Sequence, residues 1–159
     1  LDFKLKEVRE NMSLKEELLV DMKKAMKDEK KQKLSVIRMA RAAIKNMEIE
    51  DRKDLSDEEI VGVLAKEVKQ RKESISEYEK VGKDDVVADL KKEIKILNKY
   101  LPEQLSKEEL VDIVEETIAE TGAEDMSDMG KVMGAIMPRV KGRADGNQVN
   151  ELVRERLQF

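Results

Sequence analysis

Apolar side chains at Leu14, Leu18, Met22 and Met26 recur every four residues, the spacing that lines one face of an α-helix. The charged stretch Lys27 to Lys33 interrupts that stripe, and Leu34, Ile37, Ala40, Arg41 and Ile44 resume it on a second helix. After an acidic connector from Glu50 to Leu55, Ile60, Leu64, Val68, Ile75 and Tyr78 mark a long third helix that Gly82 ends. Val86 or Val87, Leu90, Ile94, Leu97 and Leu101 write a fourth, closed by Pro102. Beyond it lie three shorter segments: Leu110, Val114 and Ile118 up to Gly122, then Met129 to Val140, then about Asn147 to Leu157. Ser13 with Glu16, Ser56 with Glu59 and Ser106 with Glu109 have capping-box spacing, and Ser127 or Asp128 is the expected cap of the Met129 helix. Pro138 should bend or end that helix near Met137 unless an irregular last turn accommodates it.

The pattern predicts an all-α fold in two parts. An N-terminal helical hairpin or bundle domain covers residues 13–101, and a small C-terminal three-helix domain covers 102–159, with the boundary inside Asn98 to Leu105. Residues 1–12 are expected to be an extension outside the native fold. Codons for Lys6-Glu7-Val8 can spell a purine-rich bacterial ribosome-binding sequence shortly before Met12, so residues 1–11 read as a translated start region.

Composition narrows the chemistry. The 159 residues are 43% charged and only 3% aromatic, with no His, Cys or Trp, which removes serine triads, thiol nucleophiles, imidazole shuttles and Cys/His zinc sites. No metal and no cofactor is expected. The lack of cysteine also removes a disulfide framework and suits a reducing cytosol, so a cytoplasmic protein is expected. No apolar run approaches the roughly 20 residues of a membrane span, and no signal-type leader is apparent, so no membrane association is expected.

The net charge of −4 conceals an uneven distribution. Residues 13–47 hold 10 basic against 5 acidic side chains, residues 102–128 hold 1 against 10, and residues 129–159 hold 6 against 3. Such asymmetry can mark a local phosphate-docking face, or merely solvated helix faces.

The densest motif is GKVMGAIMPRVKGRADG, Gly130 to Gly146. Lys131, Arg139, Lys141 and Arg143 are candidates to gather around one helix end and its loop, where they would suit a phosphate backbone, with Asn147 or nearby amides adding donors. Gly130, Gly134 and Ala135 place small residues on one helix face, where another helix could approach. The competing reading is a packing-driven Gly/Met helix with ordinary solvated cations. A secondary basic face comprises Lys66, Lys69 and Lys72 in KEVKQRKES, with Arg38, Arg41 and Lys45 on the preceding helix. Pairing of Lys69 with Glu73 is the plainer use of that cluster, Arg71 points away from it, and a buried ion pair is the plainer use of Arg41. Gly130-Lys131 lacks the glycine, Ser/Thr and strand of a phosphate loop, and Asp125, Asp128 and Gly130 form only a fragment of a calcium loop. Sequential carboxylates such as Glu108-Glu109 and Glu115-Glu116 diverge around a helix, so no catalytic constellation emerges.

Taken in order, KEVKQRKES, NKYLPEQLSKEEL (Asn98 to Leu110) and the Gly130 to Gly146 motif resemble the bacterial YqeY family over Met12 to Phe159. The resemblance implies an N-terminal helical domain and a three-helix tail similar to that of the B subunit of the glutamine-dependent tRNA amidotransferase, a tail that contacts tRNA. It also implies a family label of carbon–nitrogen ligase with glutamine as amide donor, although the amidase subunit and the catalytic cradle domain have no counterpart in this sequence. A noncatalytic tRNA-binding adaptor is therefore expected, using Lys131, Arg139, Lys141 and Arg143. Its net acidity and few aromatics imply weak, salt-sensitive binding alone. The alternative is a protein partner docking a helix on the Gly/Met face.

Overall fold

The computed structural model describes residues 10–158, which form seven α-helices and no strand. The all-α class holds. The expected extension over residues 1–12 lies outside the described residues except for its last three. The chain divides between Tyr100 and Leu101 into two compact units.

The first unit contains α1 (Leu14–Lys27), α2 (Lys31–Asp51), α3 (Asp57–Lys80) and α4 (Asp84–Asn98). Ser56 and Glu59 form a complete capping box at α3, and Lys53 and the Ser56 N–H hold the Glu59 carboxyl below its ordinary value. Only half of the expected box at α1 forms: Ser13 Oγ accepts from the Glu16 N–H at 3.2 Å, while the Leu14 N–H donates to Asp57 Oδ1 at 3.1 Å. Leu18, Ile37, Ala40, Ile44, Ile60, Leu64, Val68, Val87 and Leu97 are buried along the apolar stripes, whereas the stripe members Met26 and Tyr78, near the C-terminal ends of α1 and α3, are exposed.

Two polar groups enter this core. Asp21 is 2% exposed and accepts a hydrogen bond from the Tyr100 hydroxyl at 2.6 Å, which ties the end of the unit to α1. Arg71 is 7% exposed, with Nη1 2.9 Å from Glu67 Oε2 and Nε 3.6 Å from Glu93 Oε1. The buried ion pair expected of Arg41 therefore belongs to Arg71. Arg71 lies three residues after Val68 and seven after Leu64, in phase with the buried stripe, whereas half-buried Arg41 directs Nη1 at Met22 Sδ, 3.0 Å away.

The second unit contains α5 (Lys107–Thr121), a 3-10 turn (Met126–Asp128), α6 (Met129–Val140) and α7 (Gly146–Leu157). Leu110 and Val114 from α5, Val132, Ile136 and Val140 from α6, and Val149, Leu152, Val153 and Leu157 from α7 form one core. Ser106 and Glu109 complete a capping box, and Gly122 ends α5 at a φ of 66°. Asp128, one of the two expected residues, stands at the N-cap of α6, but its side chain makes no capping hydrogen bond to that helix. Asp125 caps the 3-10 turn by accepting from the Ser127 N–H at 2.9 Å, while Asp128 Oδ2 accepts from the Glu124 N–H. Pro138 is kept inside α6 close to its C-terminal end, so the Gly134 carbonyl loses its proline-side donor but lies on an exposed face open to water.

Candidate nucleic-acid interface

The loop from Lys141 to Asp145 joins α6 to α7 and is fixed by the segment preceding α5. Gly142 adopts a φ of 74°, a left-handed conformation that suits glycine, so the chain can reverse after α6. Gln104 Nε2 donates to the carbonyls of Pro102 at 2.8 Å and Gly142 at 2.7 Å. The Leu105 N–H donates to the Arg143 carbonyl at 2.9 Å, and Arg143 Nε donates to the Glu103 carbonyl at 3.2 Å. The PEQLS and VKGRADG stretches therefore form one clasp, with each hydrogen bond contributing about 1 kcal/mol net. Gln104 is the positioning residue that the sequence left unremarked; its one signal was its place in a Pro-containing motif.

The candidate cations divide into distinct environments. Lys131 is exposed at the start of α6, ten residues and about 15 Å of helix from Lys141, so it does not join the loop group. Arg139 stands beside the loop but is turned toward α5. Its Nη2 lies 2.9 Å from Glu116 Oε2, its Nη1 3.7 Å from Glu120 Oε2, and Nη1 also donates to Thr117 Oγ1 at 3.0 Å. Glu116 and Glu120 share one face of α5 at i, i+4, a sequence signal for such a receptor. Lys141 is exposed and Arg143 half-buried, and Arg143 commits Nε while its two terminal nitrogens make no hydrogen bond among the described residues. The Asn147 N–H is donated to Asp145 Oδ1 at 2.9 Å, so the chain's own carboxylate occupies the N-terminus of α7.

Neighbouring acids are likewise employed as ion-pair partners. Glu115 Oε1 lies 2.7 Å from Arg156 Nη1, and Glu116 holds Arg139. Gly130, Gly134 and Ala135 are all exposed, and a Cβ at Gly130 or Gly134 would meet nothing within 4 Å. No helix of this unit covers that face. Met133 and Met137 instead pack against the unit's own core.

The secondary basic face is dispersed. Lys66 and Lys72 are exposed and Lys69 half-buried on α3, with no Lys69–Glu73 pair among the described residues. Arg38 lines a different feature, a groove of about 430 Å³ with Lys15, Arg41, Lys45 and Glu48. Glu48 is bound there by the Lys15 ammonium and by the Leu55 N–H at 3.0 Å, which together hold its carboxyl below the ordinary value and raise Lys15. Among the described residues, no helix is long and apolar enough to cross a membrane, and no group of three or more acidic side chains is placed to hold a metal ion.

These features describe a small helical protein of two units, with a basic loop clasped on the second. The family model for Yqey-like protein matches residues 15–157, and the chain belongs to the YqeY-like family. It is also similar to yeast proteins named "Altered inheritance of mitochondria protein 41, mitochondrial". The Kluyveromyces lactis protein is 41% identical over 81 residues, covering 50% of this chain and 44% of the relative. That from Saccharomyces cerevisiae is 37% identical over 94 residues, covering 58% and 50%. The chain thus spans about half the length of the curated relatives it matches. These names correct the cytoplasmic expectation, since the relatives are mitochondrial proteins. Lack of cysteine excludes a disulfide framework in any compartment, so it carried no power to choose the cytosol. The relatives are also yeast proteins, where the sequence pointed to bacteria.

Proposed function

We propose that this protein is a noncatalytic tRNA-binding adaptor whose tail meets the RNA backbone through Lys141 and the terminal nitrogens of Arg143, with Lys131 as an outlying contact. The observation that carries the reading is the Gln104–Gly142 and Leu105–Arg143 clasp, which holds a cation-bearing loop in place before any ligand arrives. Preorganisation of this kind lowers the ordering cost of binding. Arg139 takes no part, because α5 carboxylates already neutralise it. The ligase label of the family is read as inheritance through a shared tail domain, since the sequence supplies no histidine or cysteine to activate a nucleophile.

The test is a fluorescence anisotropy titration of total tRNA at low and near-physiological salt. The Lys141→Ala/Arg143→Ala variant is expected to bind more weakly at every salt concentration, with the log–log salt slope reduced by about 1 to 2. Unchanged affinity removes the assignment.

The open Gly130/Gly134 face favours a second reading, docking of a partner helix along α6. On that reading Gly134→Leu abolishes stoichiometric capture of a protein from ribonuclease-treated lysate while leaving tRNA affinity intact.

A further inference from the structure

A second concentration of positive charge among the described residues lies on the first unit. Lys92, Lys95 and Lys99 recur at i, i+3 and i+7 and share one face of α4 and its C-terminal end, while Gln32 and Lys33 face them from the start of α2. Together with Ile96 they line an open groove of about 350 Å³. Gln32 Nε2 fastens the two helices by donating to the Asp89 carbonyl at 3.2 Å.

The charge balance of this groove is unusual for the chain. The protein has 36 acidic side chains and a net charge of −4, yet no carboxylate lines this surface. Lys92 and Lys95 make no ion pair among the described residues, and Lys99 reaches only the buried Asp21, at 4.0 Å. Burial, and then the neighbouring Lys99 ammonium, push Lys33 below the ordinary lysine value, with the Asp21 carboxylate offsetting only part of the effect. Such an arrangement is relieved by an anion from outside the unit.

The lining also indicates which anion. All four cations are lysines, compact point charges that bind phosphate oxygens without demanding one fixed geometry. From Lys92 to Lys99 the helix rises about 10 Å, more than a single phosphate spans. We propose that the groove between α2 and α4, lined by Lys33, Lys92, Lys95 and Lys99, is a binding site for a chain of linked phosphates. Free polyphosphate and a nucleic-acid backbone share that chemistry.

The test uses the full chain. Inorganic tripolyphosphate is titrated at low salt while the backbone amide resonances of Lys33, Lys95 and Lys99 are followed, in the wild type and in Lys92→Glu/Lys95→Glu. Both substituted side chains are exposed, so the fold is expected to persist. Saturable shifts at these amides are expected, with affinity about tenfold or more weaker in the charge-reversed variant, as loss of charge-assisted contacts requires. The Lys141→Ala/Arg143→Ala variant binds tripolyphosphate like the wild type, which separates this site from the tail. Competition by a short RNA oligonucleotide assigns the groove to a nucleic-acid backbone, and lack of competition assigns it to free polyphosphate. Absence of saturable shifts at these amides, or equal affinity in the charge-reversed variant, overturns the proposal.

Discussion

The two units carry positive charge in opposite ways. In the tail, the basic stretch 129–159 folds onto the acidic stretch 102–128: Arg139 pairs with Glu116 and Glu120 on α5, and Arg156 pairs with Glu115. Part of the asymmetry visible along the chain is thereby closed internally, by Arg139 and Arg156, while the clasped loop carries Lys141 and Arg143. In the first unit, the acids instead serve particular structural contacts, as Glu48 does for Lys15 and Leu55 and Glu67 does for Arg71. In the α2/α4 groove Lys92 and Lys95 make no ion pair among the described residues, and Lys99 reaches only Asp21, at 4.0 Å. Counting charges along a sequence thus locates cations without saying which are available, because availability is decided by the helix packed alongside.

The units also differ in the size of the core that supports these surfaces, and the largest expected effects come from there. Ile136 and Ile37 are both fully buried, and truncation of either to alanine should cost about 2–5 kcal/mol. The three-helix tail has the smaller core, so Ile136→Ala is expected to unfold it and, with it, to remove the tRNA binding proposed for its loop. Ile37→Ala should lower the first unit's stability and leave the tail's amide spectrum unchanged. Unit-specific amide resonances during thermal unfolding check both outcomes, and simultaneous loss of both units in either variant would break the division.

A smaller difference lies in acid sensitivity. The Glu48 carboxyl is held below its ordinary value, chiefly by the Lys15 ammonium and then by the Leu55 N–H. A depressed carboxyl contributes stability that is full above its unfolded value, about 4.3, and is lost as pH falls through the lower folded value. Asp125 in the tail is depressed by the Ser127 hydroxyl and N–H, so it acts in the same direction. Melting temperatures should therefore fall on acidification in both units, and Glu48→Gln should flatten the acid limb of the first unit alone. An unaltered limb in that variant would show that Glu48 carries none of the dependence.

Features set within a few residues were legible in the sequence. The Ser56–Glu59 and Ser106–Glu109 boxes, the stop at Gly122 and the Ile60, Leu64, Val68 stripe all depend on spacing along one helix, and each is present. Errors arose where a partner came from elsewhere or the phase was misjudged. Arg71 occupies a stripe position seven residues after Leu64, so its burial could have been read, whereas the approach of Glu93 from α4 could not. Asp128 stands at the N-cap of α6 as expected, but the preceding 3-10 turn, capped by Asp125, draws its carboxylate to the Glu124 N–H, a contact that spacing along the helix does not show. In the candidate interface, Lys141 and Arg143 were legible as loop cations, although Arg143 is half-buried with Nε given to the Glu103 carbonyl. The neutralisation of Arg139 and the role of Gln104 required α5 and the preceding segment to be placed. The α4 lysines are periodic in the sequence, but Lys33 joins them only through packing of α2.

On the proposed reading the tail's cations are of two kinds: Arg139, held by α5 carboxylates, takes no part in RNA binding, and the loop cations Lys141 and Arg143 meet the RNA backbone. The most direct measurement is the salt dependence of tRNA affinity for Arg139→Ala beside Lys141→Ala/Arg143→Ala. The account predicts a wild-type slope for Arg139→Ala, together with a small loss of stability of about 0.2–1 kcal/mol from its exposed ion pairs, and a shallower slope for the loop variant. A slope reduced by Arg139→Ala as much as by the loop substitutions would contradict it.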